Sequence, residues 1–197
     1  MIKQPFEYTT TLTCHPETLS QAVHDMGVRV SWARHEHEST LVFTYTLMGD
    51  CDRLRIPPSR PPAQVDGLWR HTCFEAFIAG QGESAYWEFN FSPSGEWARY
   101  HFSSYRNAAP TKEEEPAPTI TASRRKNRLE VAASIRLPRS LTTQPLHLAL
   151  SAVIEEQSGV LSYWALQHPP SKPDFHQAEA FALEIAPPCM PIMRREP

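Results

Sequence analysis

The sequence predicts an all-β protein, an antiparallel β-sandwich with one short helix. Nineteen prolines against seven glycines in 197 residues favour many strand ends and rigid loops over long helices. Apolar and polar residues alternate in about eleven short runs, separated by turn residues at the spacing of an antiparallel sandwich. An apolar content of 41% over this length supports one substantial core. No internal repeat or domain boundary interrupts the pattern. Residues 1–197 therefore read as a single domain whose last stretch, 186–197, forms a loose tail.

In chain order, Phe6 to Thr13 is strand-like, with Phe6, Tyr8 and Leu12 on one parity. Pro16 to Met26 reads as the helix, because Leu19, Ala22, Val23 and Met26 recur at helical spacing and Thr18 or Ser20 supplies a cap. Val28 to Arg34 and Thr40 to Met48 alternate as strands across His35-Glu36-His37-Glu38-Ser39, and Leu41, Phe43, Tyr45 and Leu47 face one way. The proline-rich stretch from Arg53 to Pro62 favours an extended, rigid surface loop that delivers Trp69. Its Pro-x-x-Pro spacing is also compatible with peptide recognition.

Thr72 to Ala79, Ala85 to Ser92 and Trp97 to Ser103 form the central strands, the last two joined by the turn Ser92-Pro93-Ser94-Gly95. Alternation along the second puts Tyr86, Glu88 and Asn90 on a polar face and Trp87, Phe89 and Phe91 on an apolar one. Asn107 to Thr119 is polar, acidic and punctuated by proline, an exposed connection. Ile120 to Arg125 pairs with Arg128 to Ile135, Leu146 to Ile154 pairs with Val160 to Gln167, and Phe181 to Ile185 closes the sandwich.

Charge and composition exclude some functions. A net charge of -3 and a pI near 6.3 argue against a nucleic-acid partner, and the basic run Arg124-Arg125-Lys126 with Arg128 reads as a hairpin turn. No stretch approaches the roughly 20 apolar residues of a membrane span. The N-terminus lacks a secretory pattern, so a cytoplasmic location is expected. Cys14, Cys51, Cys73 and Cys189 are widely spaced and read as separate, reduced thiols.

The chemistry concentrates between Leu68 and Arg106. Trp69, Arg70 and Glu75 beside Glu88 and Asn90 combine an aromatic plane with hydroxyl-binding groups, the combination a sugar ring requires. Packing in the core is the other role open to Trp69, Trp87 and Trp97. Glu75 and Glu88 also form a carboxylate pair on neighbouring strands, the raw material of glycoside hydrolysis. No nucleophile elbow, phosphate loop or zinc signature accompanies them, and no catalytic residue is assigned. Pairing of Glu75 with Arg70 or Arg99 is the structural alternative. His35 with His37, and His168 with Asp174 and His176, have metal-ligand chemistry but no identifiable fourth ligand.

Leu68-Trp69, Thr72-Cys73-Phe74-Glu75-Ala76-Phe77 and Glu88-Phe89-Asn90-Phe91-Ser92-Pro93-Ser94-Gly95 resemble the pattern of DOMON-like proteins grouped with the family 9 carbohydrate-binding modules. Tyr163-Trp164-Ala165-Leu166, His168-Pro169-Pro170, Lys172-Pro173-Asp174-Phe175-His176 and Phe181-Ala182-Leu183 extend the likeness over most of the chain from Arg53 to Ile185. The resemblance implies a jelly-roll-type sandwich that binds sugars in some relatives and haem in others.

By that likeness Trp69 and Trp164 form an aromatic clamp, with the inter-sheet core as the other place open to Trp164. Glu75, Glu88 and Asn90 bond hydroxyls, Arg55 or Arg99 steadies them, and His168 and His176 contribute from the following loop. The expectation is a non-catalytic module for a saccharide-like ligand, with no cofactor and no established protein partner. Haem, through Met48, His71 and His101, a divalent metal, and a purely structural or protein-interaction sandwich are the alternatives.

Overall fold

The computed structural model describes residues 6–35, 38–110 and 115–188. Two antiparallel sheets pack face to face. The first runs β1 (Phe6–Thr11), β3 (Val23–His35), β4 (Glu38–Gly49), β10 (Arg128–Arg136), β9 (Thr119–Arg125). The second runs β2 (Thr13–Cys14), β12 (Leu161–Ala165), β11 (Leu146–Glu155), β5 (Cys73–Gly80), β6 (Tyr86–Phe91), β7 (Trp97–Ser104), β8 (Asn107–Ala108). There β13 (Leu183–Ile185) lies beside β12 along the same edge of β11. The all-β sandwich expected from the alternating pattern is the observed architecture. None of the described helices is long and apolar enough to cross a membrane.

The period-2 pattern decides what fills the space between the sheets. Leu41, Phe43, Tyr45 and Leu47 point inward from β4, as their shared parity predicts. Facing them are Phe74, Ala76 and Ile78 of β5 and Trp87, Phe89 and Phe91 of β6. Phe43 stacks on Phe91 with ring centroids 6.1 Å apart, and the Tyr45 hydroxyl crosses the core to donate to the Glu75 backbone carbonyl at 2.7 Å.

The helix expected over Pro16 to Met26 does not form. Val23 to Met26 instead open β3, whose partner across most of its length is β4. The preceding turn is held by a distant carboxylate. Glu156 accepts from the Ser20 hydroxyl at 2.8 Å and from the amides of Gln21 and Ala22, taking the donors that a first helical turn would use. Gly49 makes this approach possible, since a Cβ there would lie 2.2 Å from the Ala22 carbonyl oxygen. The described helical residues form only short 3-10 turns, at Cys51–Arg53, Leu68–Arg70, Arg139–Leu141 and Ala178–Ala180.

The central hairpin follows its turn chemistry. Gly95 sits at φ 94°, its amide donates to the Ser92 carbonyl, and the Ser92 amide closes on Glu96. This turn sets the register that places Glu88 opposite Tyr100 and Tyr86 opposite Phe102. Of the expected tail, residues 186–188 follow β13 as irregular chain and 189–197, Cys189 among them, lie outside the described residues.

Candidate functional site

The second sheet has an outward face that is also covered. All six residues of β6 are buried, including the polar Tyr86, Glu88 and Asn90. The cover is the segment between β12 and β13, which leaves the sheet at Leu166 and returns to pair at Leu183. Phe175, Ala180 and Phe181 from this segment pack on Phe77, Tyr86, Ala149 and Val153 to build a second apolar cluster outside the main core. Two histidines anchor the segment to the N-terminal chain. The His168 Nε2–H donates to the Thr13 carbonyl and the His15 Nε2–H to the Ser171 carbonyl, both at 2.8 Å.

The cover is incomplete, and a hollow of about 380 Å³ remains beneath it. Glu75, Phe77 and Glu88 form its floor, Tyr100 and Phe102 one wall, and Phe175 and His176 the other. Trp69 stands at the rim, 38% exposed, with its ring edge-on to Tyr100 at 5.8 Å. The volume lies within the usual range for small-molecule sites of about 300–1,000 Å³.

Glu75 and Glu88 are diagonal neighbours: Glu75 pairs with Asn90 and Glu88 with Phe77, which spaces their Cα atoms by about 7–8 Å. Glu75 is only 2% exposed. Burial, with the Glu88 charge adding to it, pushes the Glu75 carboxyl up to about 8, although the Ser151 hydroxyl donates to it at 3.2 Å. Glu75 is therefore protonated at neutral pH. Burial also raises Glu88, against an opposing hydrogen bond from the Asn90 amide at 2.7 Å. Asn90 is itself fixed from behind by the Cys73 thiol.

His176 faces Glu88 at 3.8 Å, but burial and the nearby Arg106 charge bring its imidazole down to about 4. The ring is neutral at pH 7 and the contact is not an ion pair. The Arg106 amide donates to the Tyr86 hydroxyl, which donates onward to His176 Nδ1 at 2.8 Å, leaving the Nε2–H directed at Glu88. Burial opposes ionisation of Asp174, yet hydrogen bonds from Tyr105, Arg106 and the His176 amide outweigh it and hold this carboxyl below its ordinary value. Asp174 also neutralises Arg106 in an ion pair of 2.8 Å. The Tyr100 hydroxyl donates to Asp66, and burial together with that carboxylate raises the phenol.

Of the residues that the sequence singled out, the hollow brings together Trp69, Glu75, Glu88, Asp174 and His176, with Asn90 bonded to Glu88. The aromatic clamp is not formed. Trp164 pairs with Ala152 and so points between the sheets, where it is 5% exposed and donates to the Ser162 hydroxyl. Its neighbour Tyr163 occupies the outward parity and lines the hollow instead.

Arg99 also has the inward parity, opposite Phe89; it lies 5.9 Å from the rings of Trp87 and Trp97 and donates to the Glu115 carbonyl. Arg55 pairs with Glu155 at 2.7 Å beside His71, and it does not line the hollow. His168 is occupied in anchoring the cover. The alternative pairing of Glu75 with Arg70 or Arg99 gives way to Ser151, since Arg70 lies against Trp69 and Arg99 has the inward parity.

The ligand sets considered for haem and metal do not converge. Met48 has the outward parity of the first sheet, His71 bonds Glu155, and His101 lies tilted against Trp87 with ring centroids 4.7 Å apart. His168, Asp174 and His176 have separate partners, and no group of three metal-ligating side chains occurs among the described residues. The His35 side chain and His37 lie outside the described residues.

Tyr100 and Phe102 were legible through parity and the Ser92–Gly95 turn, which together put them opposite Glu88 and Tyr86. Phe175 and Arg106 carry no local signal, because the cover reaches the sheet through contacts about 70 to 100 residues away in sequence.

No protein-family model matches the chain, and none of the curated proteins matches it in sequence. Among solved structures it is similar to a putative carbohydrate-binding protein from Bacteroides uniformis, at 12% identity and a TM-score of 0.46, over 86% of this chain and 82% of that one. A likeness that distant says nothing about the ligand. The DOMON-like and family 9 resemblance is carried by its motifs alone.

Proposed function

We propose that the hollow binds a neutral, polyhydroxylated small molecule of the carbohydrate class and does not alter it chemically. The observation that carries this reading is the placement of Glu75 and Glu88 in one hollow with the half-exposed ring of Trp69. A sugar hydroxyl is donor and acceptor at once. Protonated Glu75 and the His176 Nε2–H offer donors, the remaining carboxyl oxygens accept, and Asp174 cancels the one guanidinium in the lining. The apolar C–H face of a pyranose matches the ring of Trp69, and stacking there contributes about 1–3 kcal/mol. With a few hydrogen bonds to charged groups, and after immobilisation costs, affinities of about micromolar to millimolar follow.

Binding is favoured over hydrolysis by the state of the acids. Burial raises both carboxyls, whereas glycoside hydrolysis pairs a protonated acid with an ionised nucleophile or base.

The test is titration of the folded protein with a panel of mono- and oligosaccharides, followed by tryptophan fluorescence. Trp69→Ala is expected to weaken saturable binding about tenfold or more while changing stability by less than about 0.5 kcal/mol. A folded protein that ignores every sugar, or binding indifferent to Trp69→Ala, sinks the reading. Release of new reducing ends, lost in Glu75→Gln, would overturn its non-catalytic part.

A further inference from the structure

A second hollow of about 450 Å³ adjoins the first, and His176 lines both. Its lining includes Tyr86, Tyr105, His147, Gln177 and Phe181. Between the hollows stands the hydrogen-bonded pair of His176 and Tyr86. Tyr86 is clamped in turn, stacked on Phe102 at 4.9 Å with an interplanar angle of 14°.

Tyr105 is the feature of the second hollow that the first site leaves unexplained. Tyr105 is 52% exposed, and its side chain lines this hollow. The ring is also held in place. Its hydroxyl donates to Asp174 at 2.6 Å, Arg106 lies 5.8 Å from its centroid, and Arg106 itself adopts a positive φ of 52° to make the turn. A rigid, exposed aromatic plane thus stands beside His147, whose imidazole suits hydroxyls, and beside Gln177, whose Nε2 donates to Tyr105 and Asp174 and helps to fix that plane.

We infer that the two hollows are adjoining subsites for one oligosaccharide, with Trp69 stacking the first sugar unit, Tyr105 the second, and the His176–Tyr86 pair at the junction. This inference rests on the carbohydrate reading of the first hollow and adds that the ligand has at least two linked units. Asp174 joins the subsites mechanically, because it holds Tyr105, Arg106 and the His176 amide at once.

The experiment is calorimetric titration with glucose, galactose, mannose and N-acetylglucosamine, each as the monosaccharide and as linked di- and trisaccharides. In at least one series the disaccharide is expected to bind about tenfold tighter than its monosaccharide, the gain from covering a second ring face. Tyr105→Ala should remove that gain, bringing the disaccharide to the affinity of its monosaccharide. Tyr105→Phe, which keeps the plane and loses only the bond to Asp174, should retain most of it, and it guards against misfolding of the alanine variant. Monosaccharide binding with no dependence on chain length, or a gain that survives Tyr105→Ala, overturns the second subsite and leaves the first standing. A folded protein that binds no sugar of any length overturns both.

Discussion

Trp69 and Trp164 have opposite fates. Trp164 is one position along from Tyr163 on β12, and pairing with Ala152 turns its ring into the space between the sheets. Trp69 sits in a 3-10 turn outside the ladder and leans on Tyr100 at the rim of the hollow. The same contrast runs along β6, where Trp87, Phe89 and Phe91 join the main core while Tyr86, Glu88 and Asn90 lie under the cover. Burial alone does not separate the two faces. What separates them is that one is filled with apolar side chains and the other keeps ionisable groups around an unfilled volume, at an energetic cost that an apolar packing would avoid.

The largest test of this contrast is Trp164→Ala. Removal of a buried indole should lower the unfolding free energy by about 3–5 kcal/mol, read by urea denaturation, with sugar affinity unchanged wherever the protein remains folded. A small loss of stability would show that the inner face is less tightly packed than the contacts of Trp164 imply.

Next in size is a pH effect confined to the outer face. Between about pH 4.5 and 8 the folded state keeps a proton on Glu75 that the unfolded chain releases, so stability falls as pH rises through that window. His176 works in the opposite sense. Between about pH 4 and 6.5 the unfolded chain binds a proton that the buried imidazole refuses, so its contribution to stability rises with pH. The two slopes oppose each other up to about 6.5, and above that the Glu75 slope remains. Stability is expected to fall by about 2 kcal/mol from pH 6.5 to 8, and Glu75→Gln should flatten this decline. A wild-type profile already flat over that range would contradict the buried, protonated Glu75.

The smallest effect belongs to Arg55→Ala. Arg55 is half exposed, its buried partner Glu155 keeps His71 at 2.7 Å as a second partner, and Arg55 does not line the hollow. A change below about 1 kcal/mol in stability and none in sugar affinity is expected from melting and titration. A clear loss of affinity would extend the site beyond the hollow.

The strands were readable because alternation is local: each run from Phe6 to Ile185 shows its two faces without reference to any other. The Pro16–Met26 stretch misled because Leu19, Ala22, Val23 and Met26 also satisfy helical spacing. The competing partners of that stretch, Glu156 and β4, lie far away in sequence. Arg99 was drawn toward the acids by sequence proximity, although its parity already set it on the face opposite Glu88.

The sequence by itself determined the all-β class, the turn at Ser92–Gly95, and the sorting of β6 into an apolar and a polar face, all consequences of a two-residue repeat and backbone preference. Only the tertiary structure decided that the polar face is covered, that Trp164 serves the core while Tyr163 serves the hollow, and that His176 meets Glu88 and Tyr86. Those outcomes depend on strand register and on a returning segment whose contacts span much of the chain, and a local pattern holds no record of which partner will close over it.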